Sequence, residues 1–179
     1  MTPSECASHL LKEEIGIIPC DTLWGLVVIV TQATATRLNL IKKRSQEKPF
    51  LCLMSSFEEV QNYAEINPVH EQLILSSWPG PTTFVFSKKK TVPNWMTGGK
   101  NTIAIRVPQD AFLQQILVEV GQPIFSTSAN FAGQPFPKSL EEVQVELRQQ
   151  VDFIFPSIKH LSSASTIIDL TQNKPQKIR

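Results

Sequence analysis

Glycine is scarce: seven glycines stand against 13 prolines in 179 residues. Neither a G-x-G-x-x-G nor a G-x-x-x-x-G-K-[ST] run occurs, because Gly98-Gly99-Lys100 has no glycine five positions before its Gly-Lys pair. A phosphate, if bound, must then be held by other means. Cysteine is also sparse and odd in number, Cys6, Cys20 and Cys52, with no C-x-x-C pair. That excludes a disulfide framework and a zinc knuckle, and makes a reducing cytoplasm the expected compartment. The three histidines, His9, His70 and His160, lack i,i+4 ligand spacing and read as surface residues. No G-x-S-x-G elbow is present. The longest apolar run, residues 23–30, has eight residues including a glycine, far short of the roughly 20 that span a bilayer. The opening Met1-Thr2-Pro3-Ser4-Glu5 has neither the basic nor the apolar region of a signal peptide. Charge of one sign is lacking too, since 17 Lys+Arg offset 16 Asp+Glu for a net +1. A histone-like or acidic-tail protein is excluded, but local patches are not.

What is present describes a soluble α/β domain. Hydrophobic residues make up 41% of the chain, enough for one core without staples, and no repeat or linker divides residues 1–179. Ser4 before Ala7, Leu10, Leu11 and Ile15 predicts a capped helix ending near Gly16. Strands are expected at 15–20 and 23–30, a helix at 32–44, and a short strand at 50–54. Ser56-x-x-Glu59 and Asn67-Pro68 open helices over 56–64 and 68–77, stopped by Trp78-Pro79-Gly80-Pro81. Strands at 83–87 and 102–107 flank a basic loop, 88–101. A helix over 110–120 closes at Gly121, followed by a strand at 123–126. Ser139-x-x-Glu142 predicts a helix to about 150, and strands at 152–155 and 165–170 finish the chain. Interleaved strands and helices with hairpin-length spacings predict a twisted open sheet of mixed parallel and antiparallel strands with flanking helices.

Polar residues fall at the ends of these strands, where open α/β sheets bind ligands. Asp21 and Thr22 lie between two apolar strands. Lys42, Lys43, Arg44 and Lys48 place four cations within seven residues against one acid, Glu47. Arg106 ends an apolar strand, and Ser126-Thr127-Ser128-Ala129-Asn130 follows another. Each has a plainer reading, as a solvated helix end, an exposed ion-pair partner, or a hydroxyl-rich turn. Their joint appearance favours a ligand, because cations suit an anion, hydroxyls donate, and a guanidinium matches a carboxylate.

Taken together, Pro19-Cys20-Asp21-Thr22-Leu23-Trp24-Gly25-Leu26, Lys42-x-Arg44 with Lys48-Pro49, Trp78-Pro79-Gly80-Pro81-x-Thr83, Ala104-Ile105-Arg106-x-Pro108 and Ser126-Thr127-Ser128-Ala129-Asn130-x-x-Gly133-x-Pro135 resemble the YrdC family. The resemblance runs from about Ser4 to Arg179, in order, and is nearest to the family's short bacterial form. It implies a single YrdC-like domain and a nucleotidyltransferase that forms threonylcarbamoyl-AMP and pyrophosphate from L-threonine, bicarbonate and ATP. Magnesium would accompany ATP, and the protein itself would supply no dedicated metal ligands. Partner threonylcarbamoyltransferase proteins would move the product to tRNAs reading codons that begin with A. The resemblance implies Lys42, Arg44, Ser128 and Asn130 as catalytic, and Arg44, Lys48, Ser128, Phe136 and Thr166 as ATP-binding. Thr22, Arg106 and Ser126 would bind threonine, and Lys43 and Thr83 are weaker candidates for the nucleotide site.

The chain departs from the family pattern where Cys20 replaces a common Thr, Trp24 a Tyr or Phe, and Ser45 a Pro. The alternative is a non-catalytic double-stranded RNA or tRNA-binding module of the same fold, with Lys42, Lys43, Arg44, Lys48 and Lys88 to Lys90 on phosphates. A third reading, a carbamoyl-adenylate-forming domain of the hydrogenase-maturation type, shares the fold.

Overall fold

A computed structural model describes residues 1–157, 159, 161 and 163–179. Its strands are β1 (Gly16–Cys20), β2 (Leu23–Ile29), β3 (Leu51–Leu53), β4 (Ala64–Glu65), β5 (Thr82–Lys88), β6 (Thr102–Arg106), β7 (Ile124–Ser128), β8 (Phe153–Ile154), β9 (Thr166–Asp169) and β10 (Gln176–Lys177). They form one sheet in the order β10-β9-β5-β6-β3-β7-β2-β1-β8, with β4 on β5. The β1/β8, β3/β6 and β5/β9 pairs are parallel and the rest antiparallel, so the expected mixed sheet is what forms. Among the described residues no helix is long and apolar enough to cross a membrane.

Period-two alternation assigns the two faces. Trp24, Leu26 and Val28 of β2 enter one core layer with Phe84, Phe86, Ile105 and Phe125. Val27 and Ile29 enter the other with Ile18, Cys20, Leu53 and Ile124. The second layer is roofed by α1 (Pro3–Leu11) and α5 (Ala111–Val120), which contribute Cys6, Leu10, Leu113 and Ile116. Asp110 caps α5 at its start and Gly121, at φ 67°, ends it, as the sequence predicts. α2 (Gln32–Lys42) is capped by Thr31 and ends at Lys43 in the left-handed region.

Several boundaries differ from expectation. α1 is capped by Thr2, whose amide donates in return to the Glu5 carboxylate, while the Ser4 hydroxyl donates to Glu119. The helix stops at Leu11, and Gly16 belongs to β1, where a Cβ would lie 2.1 Å from the Phe153 ring. α3 covers only Phe57–Val60, capped by Ser56 as expected but with the Glu59 carboxylate accepting from the amide and hydroxyl of Ser55, and the chain beyond joins β5 as β4. The helix expected from 68 starts as a 3-10 turn, Pro68–His70, and becomes α4 (Glu71–Ser77). The helix expected over 139–150 shrinks to α6 (Val145–Arg148), since the Glu142 carboxylate accepts from the Lys138 amide instead of capping at Ser139. His70 is buried, its Nε2 2.8 Å from the Gln172 carbonyl, and His9 is half-buried against Glu14 and stacked on Phe153. Both correct the surface reading, whereas His160 lies outside the described residues.

Candidate active site

On the face roofed by α1 and α5, the roof ends before the sheet does. That face carries Gly25, Ser126 and Ser128, side chains too small to fill the space. The result is a cavity of about 180 Å³ lined by Cys20, Thr22, Gly25, Arg106, Ser126 and Ser128, with Leu23, Leu51, Thr127, Ser165 and Arg179 completing its wall. This lies below the roughly 300–1,000 Å³ of drug-sized pockets and suits a molecule the size of an amino acid.

Arg106 governs the cavity's electrostatics. The strand holds it with 2% of its surface exposed, where Nη2 donates to Asp21 Oδ1 at 2.7 Å and Nη1 to Thr22 Oγ1 at 3.1 Å. Its Nε is buried with no partner among the described residues. A buried donor left unpaired costs about 1–3 kcal/mol, so a ligand that accepts from it recovers that cost. Burial raises the Asp21 carboxyl above its usual range, against the opposing pull of Arg106. The plainer reading of Arg106, an exposed ion-pair partner, is therefore replaced by a buried pair aimed at a cavity.

The second half of the site forms where the end of α2 meets the end of β7. Lys42, 3% exposed, donates from Nζ to the Ser128 carbonyl at 2.6 Å and to Asn130 Oδ1 at 2.9 Å. Ser128 Oγ donates to the same Asn130 oxygen at 2.5 Å, and Asn130 Nδ2 donates to the Gln134 carbonyl. Burial pushes the Lys42 ammonium down to about 7, with a smaller contribution from Arg44. Arg44 stacks on Phe50, its guanidinium carbon 3.8 Å from the ring centre. Nε donates to Asn39 Oδ1 at 2.8 Å and Nη2 to the Lys48 carbonyl at 2.7 Å. Burial pushes the Arg44 guanidinium down to about 10.

Ser128 joins the halves, since it lines the cavity and bonds to Asn130. The structure thus brings Thr22, Arg106, Ser126, Ser128, Asn130, Lys42 and Arg44 into one region. Ser126, Thr127 and Ser128 lie within β7 and not after it, so alternation turns Ser126 and Ser128 to the same face. Lys48 contributes its carbonyl to Arg44 while its side chain is exposed. Phe136, 37% exposed, borders a neighbouring hollow of about 230 Å³ with Asn130 and Gln134. Lys43 lies over Phe131 at 4.3 Å. Thr166 starts β9 and does not line the cavity; its neighbour Ser165 does, with its hydroxyl accepting from Thr83 at 3.0 Å.

Ser165 and Arg179 escaped the sequence reading. Arg179 follows β10, whose antiparallel pairing with β9 brings its guanidinium 3.2 Å from the Ser165 carbonyl. No local pattern around Arg179 signals that placement. Trp24, by contrast, is fully buried and donates Nε1 to the Lys159 carbonyl at 3.1 Å. Among the described residues no group of three or more His, Cys, Asp or Glu side chains is placed to hold a metal.

A family model for Sua5, YciO and YrdC proteins, described as telomere recombination, matches residues 8–179. A curated threonylcarbamoyl-AMP synthase of Klebsiella pneumoniae is 32% identical over 152 residues, covering 80% of this chain and 80% of the relative. The crystal structure of Pyrococcus abyssi Sua5 complexed with L-threonine superposes with a TM-score of 0.91 at 29% identity. It covers 99% of this chain, which spans only 53% of that longer protein. Escherichia coli YciO matches with a TM-score of 0.88 at 26% identity, over 99% of this chain and 87% of its own.

Proposed function

Because the chain belongs to the Sua5/YciO/YrdC family, we propose that it is a nucleotidyltransferase that makes threonylcarbamoyl-AMP from L-threonine, bicarbonate and ATP. One observation carries this reading: a cavity of amino-acid size with a buried arginine opens beside a cationic segment, and Ser128 lines the first and accepts from Lys42 of the second. The curated relatives' name supports a threonylcarbamoyl-AMP product, and the threonine complex of a structural neighbour supports L-threonine as a substrate.

In this reading the threonine carboxylate takes the free Nε of Arg106, while Thr22 and Ser126 meet its remaining polar groups. The threonine amine adds to bicarbonate with loss of water to give a carbamate. A carbamate oxygen then attacks the α-phosphorus of ATP, the bond to the β-phosphate oxygen breaks, and pyrophosphate leaves. No protein nucleophile takes part. The work is positioning, charge compensation and exclusion of water from a labile carbamate. Arg44, Lys48 and Lys42 compensate the phosphates, and Ser128 and Asn130 orient them across the junction. Arg44 is suited to this because a guanidinium grips phosphate through two donors. Its present partners are backbone carbonyls and an amide, which an arriving phosphate displaces. Phe136 borders the hollow beyond Asn130 and faces the nucleotide there. Magnesium enters as part of the ATP substrate. The cytoplasm is the proposed location, and partner threonylcarbamoyltransferases would consume the product for tRNA modification.

The experiment is pyrophosphate release by the purified protein with Mg·ATP, bicarbonate and L-threonine, omitting each in turn. Release that needs all three supports the reading. Salt-sensitive RNA binding with no threonine-dependent release would support the RNA-binding module instead.

A further inference from the structure

The cavity that takes the amino acid is lined by both polar and apolar side chains, and its most deeply buried apolar element is a sulfur. Cys20 is 2% exposed, whereas the other large apolar residues of the wall, Leu23 and Leu51, are only half-buried. The sulfur occupies this place because Gly25 has no side chain: a Cβ there would lie 2.6 Å from Cys20 Sγ. Both polar capacities of the thiol are used within the protein. Its proton points to the Ile18 carbonyl at 3.8 Å, and the sulfur accepts from the Ser126 hydroxyl at 3.7 Å. Burial holds the thiol up at about 12, so it stays neutral. Towards the cavity it therefore presents a soft surface that neither donates nor accepts strongly. The same cavity is also lined by the Thr22 hydroxyl and by Arg106, whose Nε has no partner among the described residues.

Such a cavity separates the two branches of a β-hydroxy amino acid. We infer that Cys20 is the specificity residue that receives the β-methyl group of the substrate, so that L-threonine is chosen over L-serine, which lacks the methyl, and over L-allo-threonine, which exchanges methyl and hydroxyl. This inference rests on the threonine reading above and assigns it a residue. One methyl against an apolar wall is worth roughly 10–200-fold in kcat/KM, and a hydroxyl directed at a surface that cannot bond it is rejected on the same physical ground.

The test compares Cys20→Ser and Cys20→Ala with wild type in threonine-, serine- and allo-threonine-dependent pyrophosphate release, with thermal melts confirming that each variant is folded. Wild type favours threonine over both analogues. Cys20→Ser lowers the threonine-to-serine ratio about tenfold, through KM more than kcat, and raises relative use of allo-threonine because its hydroxyl now meets a hydroxyl. Cys20→Ala lowers the threonine-to-serine ratio but gives no gain with allo-threonine, since nothing polar has been added. Ratios within twofold of wild type for both analogues in folded Cys20→Ser overturn the inference. If wild type releases no pyrophosphate, the functional reading fails separately. Calorimetric titration of the three amino acids into wild type and Cys20→Ser then decides the inference by the same ratios of affinity, and absence of threonine binding overturns it.

Discussion

Arg106 and Arg44 are built in opposite ways. Arg106 lies on a central strand, buried, locked to Asp21 and Thr22, with its Nε left without a partner among the described residues. Arg44 lies on a loop after a helix end, half-buried, with Nε and Nη2 bonded to Asn39, Lys48 and Pro49 and its plane on Phe50. A strand position cannot move without breaking ladder bonds, so its cavity is preformed, and the reward for filling it is stored in the unpaired Nε. A loop arginine satisfied by carbonyls costs little to hold and can change partners. An amino acid of fixed shape suits the first arrangement, and a flexible triphosphate suits the second.

The largest expected effect comes from Arg106→Ala. It removes both the proposed carboxylate partner and the charge facing the partly buried Asp21, so threonine-dependent pyrophosphate release falls to background. Breaking a buried pair in this way costs about 3–5 kcal/mol, on the order of 10 °C in a thermal melt. A variant that melts near wild type and still turns over would erase the contrast between the two arginines.

Arg44→Ala and Asn130→Ala come next. Loss of a charge-stabilising donor lowers kcat by about 10²–10³-fold, while threonine binding measured by calorimetry stays close to wild type because the cavity lies on the strand side. If threonine affinity collapsed together with turnover, the two halves would not be separable.

Lys42 gives a pH signature. Its folded-state pKa is depressed from 10.5 to about 7 by burial, so the unfolded chain binds more protons between these values, and stability rises as pH increases from about 7 towards 10. Activity that depends on the ammonium runs the other way and declines above pH 7. Lys42→Met should remove this rise in melting temperature, and a slope unchanged in the variant would assign it to another group.

The smallest effect is expected for Lys48→Ala. Only the backbone carbonyl of Lys48 serves Arg44, and its ammonium is exposed. KM for ATP rises a few-fold, less at high salt, because an exposed charge is screened.

How far the sequence could be read follows from the range of the forces involved. α5 is legible because its cap, its apolar spacing and Gly121 are all local, and β1 and β2 because buried strands are continuous apolar runs. Glu59 and Glu142 fit the capping pattern equally well, yet each carboxylate finds a different amide, and that choice cannot be seen in Ser-x-x-Glu. In the site, residues at strand ends and in the Lys42 to Asn130 junction carry short-range signals that the family resemblance sharpens. Ser165 and Arg179 do not, because they reach the cavity through the β5/β9 and β9/β10 pairings. Thr166, expected at the nucleotide, begins β9, while its neighbour Ser165 lines the small cavity. The burial of Arg106 was equally invisible, since a strand-terminal arginine looks the same whether or not the sheet continues beside it.

The central claim is that one small cavity and one cationic loop, joined at Ser128, activate L-threonine. Its most direct test is pyrophosphate release by the wild-type protein with Mg·ATP and bicarbonate, with and without L-threonine. The account predicts release that appears only with threonine and is lost in Arg106→Ala. Release no greater than in the threonine-free control, from protein that is folded, would contradict it.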